Sequence, residues 1–186
     1  MGIVVKRLFT ADEYRRMTEG GILAEDDRVE LIGGEIVQMS PIGSGHAGQV
    51  MWLTSAFHRS VGTRAIVSVQ NPVALGEYAE PQPDIALLRP RNDFYRHSHP
   101  GPADVLLLVE VCDSSAAYDR EIKVPLYGEA AIPAVWLIDM AMPGVVEVYE
   151  SPEARGFRRV RRASRGETLT VPDLPGASIP VDDVLG

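Results

Sequence analysis

The chain has 186 residues, 45% of them hydrophobic and 24% charged, a make-up that suits a single globular domain over residues 1–186. Its one cysteine, Cys112, excludes an internal disulfide framework and a Cys-rich zinc site. No apolar run exceeds the five residues of Val105–Val109, which excludes a membrane-spanning helix, and the start MGIVVKRLF lacks the apolar stretch of a secretion signal, so the expected location is the cytoplasm.

Charge divides along the chain. Residues 1–150 hold 12 basic and 21 acidic side chains, whereas residues 151–186 hold six and five, all six being arginines between Arg155 and Arg165. An overall charge of −8 excludes binding to nucleic acid through a broad cationic surface and leaves a small site or the arginine segment. Met1-Gly2 fits the start of a myristoylation signal, but Lys6 stands where Ser or Thr is required.

In chain order, Thr10 with Glu13 forms a capping box for a short helix that Gly20-Gly21 stops. The run RVELIGGEIVQM predicts a hairpin turning at Gly33-Gly34, with Glu30 opposite Val37 on a mostly apolar face. A helix follows from Gly43–Gly48 to about Val61, with Val50, Leu53, Phe57 and Val61 on one stripe that His46 continues into the first turn. RAIVSVQ, PDIALL and DVLLLVEVC read as strands, the last apolar enough for the middle of a sheet. Asp113, Ser114 and Ser115 offer caps for a helix to about Ala130, which Pro125 kinks or splits. AVWLID and VVEVYE add strands, and RGFRRVRRA an arginine-rich one before a turn at Arg165-Gly166. The order predicts an α/β fold: a mixed central sheet flanked by helices, preceded by an N-terminal helix and β-hairpin and followed by extra C-terminal strands.

Chemistry concentrates where acids interrupt apolar strands. Asp84 follows Pro83 and opens Ile85-Ala86-Leu87-Leu88; Glu110 follows Val105–Val109. Two ionised carboxylates on neighbouring buried strands repel each other, and a divalent cation with oxygen ligands resolves the repulsion. The plainer alternative is a carboxylate hydrated at a strand end or paired with an arginine. Asp119, Lys123 and Tyr127 share one helix face at four-residue spacing. Either that face carries a solvent-exposed Asp–Lys pair, or it turns its ammonium toward the carboxylates to stabilise charge on a phosphate.

The series PDIALL, LLLVEVCDSSAAYDREIKVPLYGEAAIPAVWLID and the upstream RVELIGGEIVQMSPIGSGH together resemble the Uma-type restriction endonuclease family of the PD-(D/E)XK nuclease superfamily. The resemblance implies a restriction-endonuclease-like core and Mg2+-dependent hydrolysis of DNA phosphodiesters, with Mn2+ as a substitute. By it, Asp84 and Glu110 bind the metal, Lys123 stabilises the transition state from the helix because Cys112 occupies the usual lysine position, and Glu30 is a supporting acid. His46, Asp119 and Tyr127 become supporting residues, and a homodimer is expected by analogy with paired cutting of two strands. Asp113, near Glu110, departs from the Ser-Pro pair usual there and motivates a second reading, a non-catalytic nucleic-acid-binding or assembly module on the same fold.

The remaining candidates are weaker. Arg158, Arg159, Arg161 and Arg162 suit either a charged sheet edge or a DNA-backbone contact. His97 and His99 lack an acid partner, Ser44 lacks the glycine of a nucleophile elbow, and the apolar setting of Cys112 predicts an inert buried thiol.

Overall fold

A computed structural model describes residues 5–24 and 26–186; the Met1-Gly2 reading lies outside them. Helix α1 (Ala11–Glu19) begins as its capping box predicts: the Thr10 hydroxyl accepts from the Glu13 N–H at 3.2 Å, and the Glu13 carboxylate accepts from the Thr10 N–H at 3.0 Å. Strands β1 (Val29–Ile32) and β2 (Glu35–Gln38) close a two-residue hairpin in which Glu30 pairs with Val37. Gly33 and Gly34 both take positive φ, 57° and 80°, the backbone that such a tight hairpin demands.

Helix α2 (Ser44–Val61) buries the expected stripe: Val50, Leu53, Phe57 and Val61 all face the core. The central sheet holds β3 (Ile66–Val69), β4 (Ile85–Leu88), β5 (Val105–Cys112), β6 (Ala134–Asp139), β7 (Val145–Glu153) and β8 (Gly156–Ser164), side by side in that order. Every pair is antiparallel except β5–β6, which is parallel and therefore needs a helical crossover. All eight residues of β5 are buried, as a strand covered on both faces requires. On one face Phe57 of α2 stacks on Trp136 with ring centroids 5.8 Å apart; on the other, Val124 and Tyr127 pack over Leu108, Val135 and Leu137. Burying each such large side chain contributes about 1.5–3 kcal/mol. The chain ends in the short pair β9 (Thr168–Thr170) and β10 (Ser178–Pro180) and helix α5 (Val181–Leu185), which closes over α2 and β7.

The β5–β6 crossover differs from the sequence expectation. It starts as α3 (Ala116–Tyr118), widens into a π-turn over Asp119–Lys123 and ends as α4 (Val124–Glu129). The Val124 N–H reaches back five residues to the Asp119 carbonyl, and Pro125 follows with no N–H to restore the four-residue ladder. Pro125 thus sits in the first turn of α4, where it is tolerated, and of the two expected outcomes the helix is split into segments rather than kinked. The predicted cap also changes: Ser115 occupies the N-cap position with helical φ and ψ and caps nothing, donating its hydroxyl to Asp119 at 2.6 Å instead. Helix α4 lies so close to the β7–β8 turn that a Cβ on Gly128 would stand 2.0 Å from the Gly156 carbonyl oxygen. No helix among the described residues is long and apolar enough to cross a membrane.

Candidate active site

Register brings the two strand acids together. Ile85 of β4 pairs with Val109 of β5, so the next step outward sets Asp84 beside Glu110. The Val111 N–H donates to Asp84 Oδ2 at 2.9 Å and ties the aspartate to the neighbouring strand. Asp84, Glu110, Glu30 and Lys123 are only 8%, 3%, 4% and 4% exposed. The exposed Asp–Lys pair allowed by helical spacing is therefore ruled out: the Asp119–Lys123–Tyr127 face points inward, and all three residues are buried.

Lys123 holds the acids of two elements. Its Nζ stands 2.9 Å from Glu110 Oε1 and 3.3 Å from Glu30 Oε2, bridging the central sheet and the hairpin. The Tyr127 hydroxyl donates to the same Glu110 oxygen. Glu30 also accepts from the Gln82 N–H at 3.0 Å, which fastens the hairpin to the segment leading into Asp84. Burial pushes the Glu110 carboxyl up to about 8 against the pull of the Lys123 ammonium, and the charge of Asp84 adds to the push. Burial opposes the charge on Lys123, yet Glu110 and its neighbours hold that lysine well above its ordinary value.

Asp84 is fixed from three sides. Besides the Val111 N–H, Gln70 Nε2 donates to Oδ1 at 3.1 Å, and His46 Nε2 lies 3.1 Å from both carboxylate oxygens. Burial alone would raise this carboxyl, but the His46 contact and the other donors hold it below its usual range. The same contact with Asp84 raises His46. Among the described residues, His46 Nδ1 is buried without a hydrogen-bond partner. Gln70 sits at φ 51°, a left-handed conformation rare outside glycine, at the end of β3; its N–H also donates to the Asp84 carbonyl at 3.1 Å.

These groups meet in a cavity of about 310 Å³ whose lining includes Glu30, His46, Asp84, Glu110, Asp119 and Lys123. The hairpin and the loop into α2 line it, as do Ser114 and Ser115 just before α3 and Tyr118 of α3. The sequence reading missed Gln70, Gln82 and Arg28, the last two of which line the cavity. Only the register of distant segments reveals them, and no local pattern marks them.

The other candidates lie elsewhere or are inert. Arg158, Arg159, Arg161 and Arg162 stand on β8, the edge of the sheet, and none lines the cavity. Arg159 pairs with Glu150, Arg161 with Glu167 and Arg162 with Glu147. Cys112 is fully buried, and burial pushes its thiol far up, followed in effect by Asp119. His99 lies 3.8 Å from Glu80, away from this cavity.

Among the described residues, no group of three or more His, Cys, Asp or Glu side chains is disposed to share one ion. Mg2+ does not require such a cage, since it is often held by one or two carboxylates with water and substrate phosphate completing its shell. Asp84 and Glu110 offer hard oxygen donors, and the pocket's five carboxylates (Glu30, Asp84, Glu110, Asp113 and Asp119) outnumber Arg28 and Lys123, so the donor set fits a small divalent cation.

Comparison with known proteins agrees with this architecture. A protein from Anabaena variabilis, described as "a putative nuclease", superimposes with a TM-score of 0.70 at 17% identity, covering 95% of this chain and 97% of the other. Among curated proteins, no sequence matches. A family described as "Putative restriction endonuclease" matches residues 11–182, nearly the whole described length, and the chain belongs to that family.

Proposed function

We propose that this protein is a divalent-metal-dependent endonuclease that hydrolyses phosphodiester bonds in DNA. The observation that carries the reading is the meeting of Asp84, Glu110 and Lys123 in one cavity from three separate elements. Asp84 and Glu110 would hold Mg2+, or Mn2+ in its place, and the ion would supply Lewis acidity and a more acidic water. Lys123 sets a fixed positive charge beside the acids, where charge on a phosphate develops. Glu30 orients that ammonium from the hairpin, Tyr127 orients Glu110, and Gln70 with His46 holds Asp84 at one angle. Asp119 adds negative charge at the cavity wall. The same reading takes the cytoplasm as the place of action and a second copy of the chain as the means of cutting both strands.

Plasmid DNA incubated with the purified protein and Mg2+ or Mn2+ is nicked in this reading, and chelator, Asp84→Ala or Lys123→Ala abolishes nicking. Unchanged activity in either variant removes that residue from the mechanism. A second reading, a non-catalytic nucleic-acid-binding or assembly module, is favoured by the full set of donors already on Asp84 and by Asp113 at the cavity wall. It predicts no calorimetric Mn2+ binding that depends on Asp84 and Glu110.

A further inference from the structure

The walls of the cavity differ from its floor. The floor is acid and lysine, almost closed to solvent, and lines the recess of about 310 Å³. The hairpin side presents Val37, Met39, Pro41 and Ile42 between Gln38 and Ser40, and Tyr118 lines the cavity from α3. Cations are few: among the described residues only Arg28, His46 and Lys123 line the recess, and Lys123 is already held by Glu30 and Glu110. The chain is net acidic, and the arginines Arg159, Arg161 and Arg162 of β8 are engaged with acids of their own chain.

Resting on the nuclease reading, we infer that the site takes an unpaired nucleic-acid strand, with one nucleotide entering the recess and its base lying against Tyr118 and the apolar hairpin wall. A paired duplex turns its bases inward and shows its rim of phosphates to the protein, so an apolar wall beside the acids gains nothing from it. Duplex binders also neutralise many phosphates with a cationic track, whereas this recess offers groups for one or two. An unpaired strand exposes apolar base faces for which an aromatic ring and aliphatic side chains are the matching surface, and its flexible backbone lets one nucleotide turn into a recess.

The test uses the full chain and a fluorescein-labelled DNA of about 20 nucleotides, alone or annealed to its complement. With Mn2+, the single strand is cut at least about tenfold faster than the duplex, and with chelator it binds at least about fivefold more tightly by anisotropy. Tyr118→Ala weakens single-strand binding about fivefold and leaves duplex binding unchanged, while Tyr118→Phe retains the ring and the affinity. Circular dichroism verifies that both variants fold. Equal or faster cutting of the duplex overturns the inference and leaves the nuclease reading standing, as does a Tyr118→Ala effect that is the same on both forms. If neither form is cut, the nuclease reading fails and this inference with it.

Discussion

Arg120 and Lys123 lie three residues apart in the π-turn, and each enters a different group of buried acids. Arg120 donates to Asp139 at 2.6 Å and to Glu147 at 3.0 Å; Arg162 approaches Glu147 at 3.2 Å, and the Tyr149 hydroxyl donates to it at 2.8 Å. There two acids meet two guanidiniums, no charge is left over, and none of these groups lines the cavity. Burial would raise Glu147, but Arg120 and the other donors hold it below its ordinary range. Around Lys123 the account does not balance: Glu30, Glu110 and Asp84 outnumber the ammonium, Glu110 is pushed up to about 8, and among the described residues one nitrogen of His46 has no partner. Buried charge is therefore a poor sign of function taken alone. Surplus charge of one sign, opening on a cavity, is the better one.

The largest expected effect separates the two groups directly. Lys123→Met lowers metal-dependent cleavage at least about 100-fold, while Arg120→Met leaves the rate per folded molecule within about twofold of wild type. The second variant instead loses about 3 kcal/mol of stability in chemical denaturation, because Asp139 is left buried without its guanidinium and Glu147 keeps only Arg162 and Tyr149. Equal losses of cleavage in both variants would break the contrast.

Acidity sharpens it further, since the two glutamates titrate in opposite directions. The folded-state pKa of Glu147 is depressed, so its stabilisation is present above the ordinary glutamate range and is lost as pH falls through the folded value. Glu147→Gln therefore flattens the acid limb of a melting-temperature profile. Glu110 is raised, so in chelator the folded state keeps a proton that the unfolded chain releases, and stability declines as pH rises from about 4.5 to about 8. Glu110→Gln removes that decline, and thermal melts between pH 3 and pH 9 read both limbs (about the range that spans the two shifts).

The smallest effect concerns the sheet edge. Arg159→Gln and Arg161→Gln each change stability by less than about 0.5 kcal/mol, as exposed ion pairs do. They also leave the salt dependence of DNA binding unaltered; a flatter salt slope would show that β8 touches the phosphate backbone.

Much of this site was legible in the sequence because its residues violate local patterns. Asp84 and Glu110 stand out against apolar runs, and a Gly-Gly turn with alternating neighbours sets Glu30 opposite Val37. Lys123 and Tyr127 follow from four-residue spacing, although spacing alone could not say which way the face turns. Burial decided that. Gln70 and Gln82 were illegible, since their partners lie 14 and 52 residues away and only pairing of distant strands brings them close. The π-turn escaped for a different reason: Pro125 signals a disturbance, but whether the helix kinks or widens depends on what packs beneath it. Ser115 illustrates the same limit, as its hydroxyl prefers Asp119 to the backbone it was expected to cap.

The widened turn at Asp119–Lys123 also has a genetic consequence. Its extra residue spreads Arg120 and Lys123 farther around the axis than a regular turn would, so that one segment serves both a structural lock and the candidate site. Loss of a single codon there would re-thread the helix and strand one of the two basic side chains. In this short stretch, the lock and the candidate site are inherited as a unit.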